Sequence, residues 1–313
     1  MKLATYAYGT AVTCGIVTDK GIIDIRSACT GKVRPHSIKE ILIRGDACLN
    51  MVRELEHTVN TFLDPADVRF LPPVPRPPKL IALAGNYSEH IKEAGAKLGL
   101  SESPRTTTVP RPFLMPPTAA TATQTEIPWP KYSNEVDYEI ELAVMIGKHA
   151  KCVSIDDALH HVAGYCIAND VSARSVTFCE GRTKRPWDEF FDWLNGKWSD
   201  GFLPLGPWLT TADEIADPNN LEMELTVNGR VRQKANTSQM IFSVAEVISF
   251  VSHLMTLEPG DVIATGTPHG VGMATGEFLQ PGDRIECKIQ GLGTLVNTLG
   301  PRPEQFYRPL AMP

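Results

Sequence analysis

The 313-residue sequence has no long apolar run. No segment approaches the ~18 consecutive apolar residues that a membrane-spanning helix requires. The first residues, MKLATYAYGTAVTCG, interrupt their apolar side chains with Thr, Gly and Tyr, so they lack the continuous hydrophobic stretch of a secretory signal. We therefore predict a soluble, cytoplasmic protein that has no membrane partner.

Cysteine pairs at metal-binding or redox spacing are also missing. The seven cysteines are an odd number, lie far apart and form no C-x-x-C motif. This pattern does not indicate a structural zinc site or a redox dithiol, and it is typical of a reducing compartment.

Positive charge is scarce and is not clustered. The net charge is −6 at pH 7 and the isoelectric point is about 5.8. A protein that binds a phosphate backbone would instead be expected to carry a basic stripe. We therefore expect no nucleic-acid partner.

Proline marks a boundary near the start of the chain. Five prolines fall between positions 72 and 78, in LPPVPRPPKL, and they favour an extended connector because proline fixes its backbone and cannot join a central ladder. We predict a small N-terminal α+β domain over 1–71, a linker over 72–79 and a catalytic domain over 80–313. The small domain has short strands over 2–25, a helix capped by Ser37 with Glu40, and a second helix over 49–62.

Strands dominate the pattern beyond the linker. LIALAGNY, GYCIAND, LEMELTVNG and DRIECKI are typical of strands, whereas SEHIKEAGAKLGL and IFSVAEVISFVSHLM are typical of helices, the latter with a capping box from Ser243 and Glu246. The seven prolines of 104–130 favour an irregular loop. These elements do not alternate as regular βαβ units, so we predict an α+β fold dominated by mixed or antiparallel sheet.

Two glutamates lie two residues apart in VDYEIELAVMIG, which alternates like a strand over 136–147. Glu139 and Glu141 would share one face of that strand. The face is either exposed to solvent or binds a hard divalent cation, since Mg²⁺ and Mn²⁺ prefer oxygen ligands. Asp170, at the end of the strand GYCIAND, is a candidate third ligand or a turn-forming aspartate.

Three further features carry candidate chemistry. His90 and Glu93 are three residues apart on a predicted helix and form either a surface pair or a general base with its orienting carboxylate. Lys197 is either a solvated lysine or a buried one that stabilises negative charge. The loop ATGTPHGVG, 264–272, lacks the phosphate-loop signature, but its amides and Thr267 could hold a carboxylate.

Together these segments resemble the fumarylacetoacetate hydrolase family, specifically short bacterial-type members with a small N-terminal domain. The matching segments cover 80–299 in the order of the family: NYSEHIKEAG, VDYEIELAVMIGK, VAGYCIANDVSAR, GKWSDGFLPLGPW, VNGRVRQKANTSQMIF, PGDVIATGTPHGVG and PGDRIECKIQGLGTL. The resemblance implies a mixed sheet of the β-roll type and a homodimer.

The resemblance also implies roles for individual residues. Glu139, Glu141 and Asp170 would bind one Mg²⁺ or Mn²⁺ per subunit. The catalytic group would consist of His90 and Glu93, which activate water, together with Lys197. Substrate binding would fall to Arg174, Thr267 and Tyr87.

The implied reaction is cleavage of a C–C bond next to a 2-oxo acid, with hydrolysis of an acylpyruvate-like or fumarylacetoacetate-like acid as the leading hypothesis. The alternatives are an isomerase or decarboxylase of 2-oxo acids, as in the degradation of aromatic compounds, and a metal-binding protein of the same fold without turnover. The chain departs from the family at Ser175 and Thr177, where Asp and Gln are common. It also has an aromatic-rich insert, 178–196, which forms either a packing surface or a wall of the substrate pocket.

Overall fold

The computed structural model describes residues 1–98, 105, 107–176, 178, 183 and 185–307. The strands are β1 Lys2–Tyr8, β2 Ala11–Thr18, β3 Gly21–Asp24, β4 Arg69–Leu71, β5 Leu80–Leu83, β6 Pro112–Met115, β7 Ala120–Thr121, β8 Thr125–Ile127, β9 Glu135–Asp137, β10 Ile140–Ile146, β11 Val162–Asn169, β12 Ser172–Arg174, β13 Leu203–Thr211, β14 Glu222–Val227, β15 Arg230–Asn236, β16 Val262–Ala264, β17 Arg284–Ile289 and β18 Gly293–Leu299. The helices are α1 Ile25–Ala28, α2 Ile38–Arg44, α3 Asp46–Thr58, α4 Ser88–Leu98, α5 Ile155–Ala158, α6 Asp188–Asn195, α7 Val244–Leu254 and α8 Gly272–Thr275. None of these helices combines the length and the apolar character that a membrane span requires.

A large mixed sheet forms the centre of the molecule. Its strand order is β3-β2-β1-β13-β11-β10-β16-β5-β6, with β4 paired to β1 and β7 paired to β13. Most neighbours are antiparallel, but β16 and β5 are parallel, as are β13 and β7. The predicted α+β fold with a mixed sheet is therefore confirmed.

Two smaller sheets complete the architecture. Five strands lie in the order β15-β14-β17-β18-β8, and β12 pairs with β9 alone. The large and the five-stranded sheets share a core, in which Leu142 and Tyr165 of the former lie in one cluster of buried apolar side chains with Leu225 and Leu295 of the latter. Burial of this apolar area is the main stabilising contribution to the packing of the two sheets.

The N-terminal segment contributes strands to the same large sheet. Lys2 and Leu3 of β1 pair with Thr210 and Leu209 of β13. Helices α2 and α3 cover this part of the sheet, with Ile41 and Val52 in its apolar cluster. The division into domains at 72–79 stays a prediction, while the structure shows that the segments on either side of it are joined by a sheet.

The helix boundaries follow local backbone chemistry. Ser37 and Ser243 accept hydrogen bonds from the amides of Glu40 and Glu246, and the second pair forms the complete capping box. The helix predicted over 49–62 is Asp46–Thr58 instead, because Gly45, at φ 75°, ends α2 and allows α3 to begin directly after it.

The proline-rich segment 104–130 is more regular than predicted. It contains β6, β7 and β8, and β6 lies at the edge of the large sheet. Proline lacks the backbone donor that a central strand needs, but an edge strand tolerates this loss. The prediction of one irregular loop was therefore wrong over these strands.

Candidate metal centre and active site

The predicted strand over 136–147 is interrupted at Tyr138 and Glu139. Before the break β9 pairs with β12, and after it β10 pairs with β11. The Glu139 amide donates to the Asn169 side chain at 2.9 Å, and the Asp170 amide donates to the Glu139 carbonyl at 2.8 Å. This change of pairing partner brings the two glutamates of one segment beside Asp170 at the end of β11.

The three carboxylates are buried. Glu139, Glu141 and Asp170 are 6%, 1% and 1% exposed, so the alternative of a solvent-facing pair is excluded. One ligand oxygen of each residue lies within 4.8 Å of those of the other two. Among the described residues this is the sole cluster of three or more His, Cys, Asp or Glu side chains with such spacing.

Two oxygens of this cluster have no partner in the described part of the chain, Glu141 Oε1 and Asp170 Oδ1. The other oxygen of Glu141 accepts from the Gly266 amide at 2.7 Å. A buried acceptor without a partner is costly unless a ligand satisfies it. A set of three carboxylates with free oxygens is the chemistry that Mg²⁺ and Mn²⁺ prefer, and we conclude that the site fits a hard divalent cation.

Two buried cations partly balance the negative charge. Lys197 Nζ, on a side chain that is 2% exposed, lies 2.7 Å from Glu139 Oε2 and 2.7 Å from Asp170 Oδ2. Arg174 pairs with Glu139 and with Asp137, the latter at 3.0 Å. Four carboxylates, those of Asp137 and the three-residue cluster, thus face two cations, and the excess charge is negative.

The pKa values of the three carboxyl groups follow from their burial and from the charges beside each of them. Burial favours the neutral form of Glu139, but Lys197 and Arg174 outweigh it and lower its pKa to about 2. Burial raises the pKa of Asp170 to about 6, a rise to which Glu139 adds and which Lys197 opposes. The pKa of Glu141 is raised by burial and by its two acidic neighbours. A bound cation would relieve this repulsion.

The role predicted for Arg174 in substrate binding stays a prediction, and the structure shows which carboxylates its guanidinium contacts. Its Nε and Nη2 atoms are occupied by Asp137 and Glu139, so the part of the guanidinium left for a substrate carboxylate is Nη1. Asp137 was not predicted, although the alternation that singles out Glu139 and Glu141 includes it. Its carboxylate also accepts from the amides of Gly272 and Met273 at 2.6 and 2.9 Å, so it ties β9 to the start of α8.

Helix α4 carries His90 and Glu93, and Glu93 lies against the loop 264–272. Their Nδ1 and Oε2 atoms are 3.9 Å apart, and His90 Nδ1 has no hydrogen-bond partner among the described residues. Glu93 accepts from the Gly270 amide at 2.9 Å. Burial alone would raise the pKa of Glu93, but the nearby His90 ring and the hydrogen bond from the Gly270 amide outweigh it and lower that pKa. The catalytic role of this pair stays a prediction.

Thr267 and Tyr87 differ in what their hydroxyl groups contact. Thr267, 3% exposed, accepts from the Gln233 side chain at 2.9 Å. Gln233 was not singled out, because its signal, a polar residue inside a strand, is common. The Tyr87 hydroxyl contacts Met223 Sδ at 3.4 Å and its ring lies in the apolar core. A substrate contact of Tyr87 stays a prediction that this position does not favour.

Helix α6, which forms the last part of the aromatic insert, lies beside Lys197. Trp193 of α6 packs edge-on against Phe113, with ring centroids 5.0 Å apart, and Lys197 Nζ is 5.9 Å from the Trp193 ring. A nearby open cavity of about 490 Å³ is lined by Tyr132, Phe178, Asn195, Trp198, Ser199 and Asp200. Ser175 donates to Glu135. Thr177 and residues 179–182 and 184 lie outside the described residues.

Comparison with known sequences identifies the family. The model described as "Fumarylacetoacetate (FAA) hydrolase C-terminal" matches residues 79–300. The chain therefore belongs to the fumarylacetoacetate hydrolase family and is an enzyme of that family. All of the acidic cluster, Lys197 and Thr267 fall within the matched region.

Relatives in the family carry different activities in their names. The mitochondrial oxaloacetate tautomerase FAHD2A of Bos taurus is 40% identical over 279 residues, which cover 88% of this chain and 83% of that protein. The maleylpyruvate hydrolase of Sphingobium sp. SYK-6, solved with manganese(II) and pyruvate, is 31% identical with a TM-score of 0.75, covering 97% of this chain and 100% of that one. A 5-carboxymethyl-2-hydroxymuconate delta-isomerase of Mycobacterium smegmatis is 29% identical with a TM-score of 0.72, covering 97% and 100%.

Proposed function

We propose that the protein is a divalent-metal-dependent tautomerase or isomerase of a short 2-oxo acid of the oxaloacetate type. The observation that carries the proposal is the buried cluster of Glu139, Glu141 and Asp170, in which two oxygens lack a partner. The relative named as an oxaloacetate tautomerase supports the choice of substrate class.

Glu139, Glu141 and Asp170 would hold Mg²⁺ or Mn²⁺. The bound cation would act as a Lewis acid for the ketone and carboxylate of the acid, and so favour loss of a proton from the adjoining carbon. The manganese and pyruvate named for the Sphingobium enzyme support this pairing of metal and acid.

The chain's own groups would bind and orient the acid. Thr267 would contact its carboxylate together with the Nη1 group of Arg174. Burial would lower the pKa of Lys197, but in the metal-free protein Asp170 and Glu139 outweigh it and raise that pKa. Lys197 would therefore act as a fixed positive charge beside the developing negative charge rather than as a base. His90, whose Nδ1 has no partner among the described residues, would accept or return the proton.

Hydrolysis of a C–C bond is the second candidate. The observation that favours it is the placement of His90 and Glu93 on one helix turn, with Glu93 fixed by the Gly270 amide. This pair would then activate water instead of moving a proton on the substrate. The expected setting is a homodimer in the cytoplasm.

The proposal is tested with a substrate panel. Purified protein is assayed with Mn²⁺, and with EDTA, on the enol form of oxaloacetate, on an acylpyruvate and on a hydroxymuconate-type dienol acid. We expect faster loss of enol absorbance, with no loss of total oxaloacetate, only when metal is present. Cleavage of the acylpyruvate at a higher kcat/KM than the tautomerisation would favour the hydrolase. Pyruvate binding without turnover of any panel member would favour the non-catalytic alternative.

A further inference from the structure

We propose that Gln233 fixes the direction of the Thr267 hydroxyl and makes Thr267 a hydrogen-bond donor toward the substrate carboxylate. Gln233 is thus a positioning residue that determines specificity. This inference rests on the proposed function, since it requires a 2-oxo acid at the acidic cluster.

The orientation of the Gln233 amide is fixed by its neighbours. Its Oε1 faces the Ile140 amide, which donates at 2.9 Å, and its Nε2 donates to the Pro268 carbonyl at 2.9 Å. A flipped amide would place its NH₂ group against an N–H donor and its oxygen against a carbonyl, and both contacts are repulsive. Gln233 is 1% exposed, so water does not compete for these bonds.

The fixed amide sets the direction of the neighbouring hydroxyl. Nε2 of Gln233 also donates to Thr267 Oγ1 at 2.9 Å. An oxygen that accepts from this amide must direct its own hydrogen elsewhere. No described residue accepts a hydrogen bond from Thr267 Oγ1, and the side chain is 3% exposed. The hydroxyl therefore presents a donor that a ligand can satisfy.

The donor lies close to the proposed metal centre. Gly266, directly before Thr267, donates its amide to Glu141 Oε2 at 2.7 Å. Ile140, which Gln233 binds through its other end, lies between Glu139 and Glu141 in the chain. One side chain thus connects the ligand-bearing segment to the loop that carries the donor, and the two cannot shift independently.

A donor of fixed direction selects among ligands. Both oxygens of a carboxylate can accept, one from Thr267 and one from Arg174 Nη1, whereas a carboxamide has one oxygen and its NH₂ group would face the other of these two donors. The pair therefore favours an ionised acid over its amide by the polarity of one hydrogen bond, in addition to any preference from charge.

The test measures binding rather than turnover, by calorimetry on the Mn²⁺-loaded protein with pyruvate and with pyruvamide. Gln233→Met is close in size and uncharged, and it leaves the Thr267 hydroxyl free to rotate. We expect about a tenfold loss of pyruvate affinity and a smaller loss for pyruvamide. In a Thr267→Val background, Gln233→Met should cause no further loss. Mn²⁺ affinity, measured first, should equal that of the wild type.

Equal losses in the two backgrounds, or wild-type pyruvate affinity in folded Gln233→Met, would overturn the inference. If Gln233→Met fails to fold, Gln233→Glu is used as the test variant instead, because its carboxylate still accepts from the Ile140 amide. The negative charge of the new glutamate should weaken pyruvate binding in both backgrounds. The inference requires a larger loss of pyruvate affinity when Thr267 is present than in the Thr267→Val background. A wild-type protein that binds Mn²⁺ but no pyruvate would overturn the proposed function as well, which separates the two failures.

Discussion

Two buried aspartates, each paired with a lysine, lie at strand ends of the large sheet. Asp261, directly before β16, is 2.8 Å from Lys79 Nζ, and Asp170, directly after β11, is 2.7 Å from Lys197 Nζ. Both aspartates are at most 1% exposed. Their own burial and their lysine partners do not distinguish the two aspartates.

The remaining contacts of the two aspartates differ. Both oxygens of Asp261 accept from backbone amides, those of Lys79 and Glu258 at 2.8 and 2.7 Å. One oxygen of Asp170 has no partner in the described part of the chain, and two further carboxylates lie within reach of it. A satisfied pair holds strands together, whereas an unsatisfied one with excess negative charge indicates a missing cation.

The largest predicted effect separates the two sites by metal affinity. Glu141→Gln keeps an acceptor for the Gly266 amide but places an NH₂ group where the unpaired oxygen lies. We expect Mn²⁺ affinity, measured by calorimetry, to fall more than about 100-fold, because an anionic ligand is lost. Asp261→Asn is the matched control and should bind Mn²⁺ as the wild type does. Unchanged affinity in Glu141→Gln would disprove the ligand assignment.

The two lysines should differ in catalysis. Lys197→Met removes the positive charge beside Glu139 and Asp170, so the site becomes more negative and should bind Mn²⁺ at least as tightly. We expect kcat on the preferred substrate of the panel to fall about 100-fold, since charge stabilisation near the reacting atoms is lost. Lys79→Met should keep kcat. A Lys197→Met variant with wild-type kcat would remove the lysine from the proposed mechanism.

The two sites should also differ in how pH affects the cation. Burial and neighbouring acids raise the pKa of Asp170 to about 6 and raise that of Glu141 as well. Below a raised pKa the carboxyl keeps its proton, and protons compete with the metal. We expect Mn²⁺ affinity to fall about tenfold per pH unit below pH ~6, and more steeply as Glu141 is protonated. Asp261→Asn should show the same profile. A Mn²⁺ affinity that does not change between pH 7 and pH 5 would contradict the raised pKa values of Asp170 and Glu141.

The sequence predicted the parts of this site that a local pattern encodes. The alternation around Glu139 and Glu141, the strand that ends before Asp170, and the capping box of Ser243 and Glu246 depend on near neighbours in the chain. The last of these is seen in full in the structure. Family resemblance added the correct order of segments.

The rest depended on contacts between distant parts of the chain. The break at Tyr138 exists because Asn169 and β12 provide alternative partners for that segment, which no local pattern encodes. Gln233 binds Ile140 and Thr267, residues 93 and 34 positions away. Asp137 was missed although it follows the right alternation, because its partners, Arg174 and the start of α8, are defined only by the fold.

The smallest predicted effect is on the free energy of unfolding, which should change in opposite directions when Asp261 and Asp170 are each replaced by asparagine. In Asp261→Asn, whichever way the amide is turned, its NH₂ group faces a backbone N–H donor, so we expect about 1–2 kcal/mol loss of stability. In Asp170→Asn the amide oxygen can face Lys197 while the NH₂ group faces the other carboxylates. Burial raises the pKa of Asp170 to about 6, so its charge costs more free energy in the folded than in the unfolded protein, and the metal-free Asp170→Asn variant should be as stable as the wild type or more so. Chemical unfolding at pH 7.5 measures both, and added Mn²⁺ should stabilise Asp261→Asn but not Asp170→Asn. A loss of stability in metal-free Asp170→Asn as large as that in Asp261→Asn would show that both aspartates serve the fold alone.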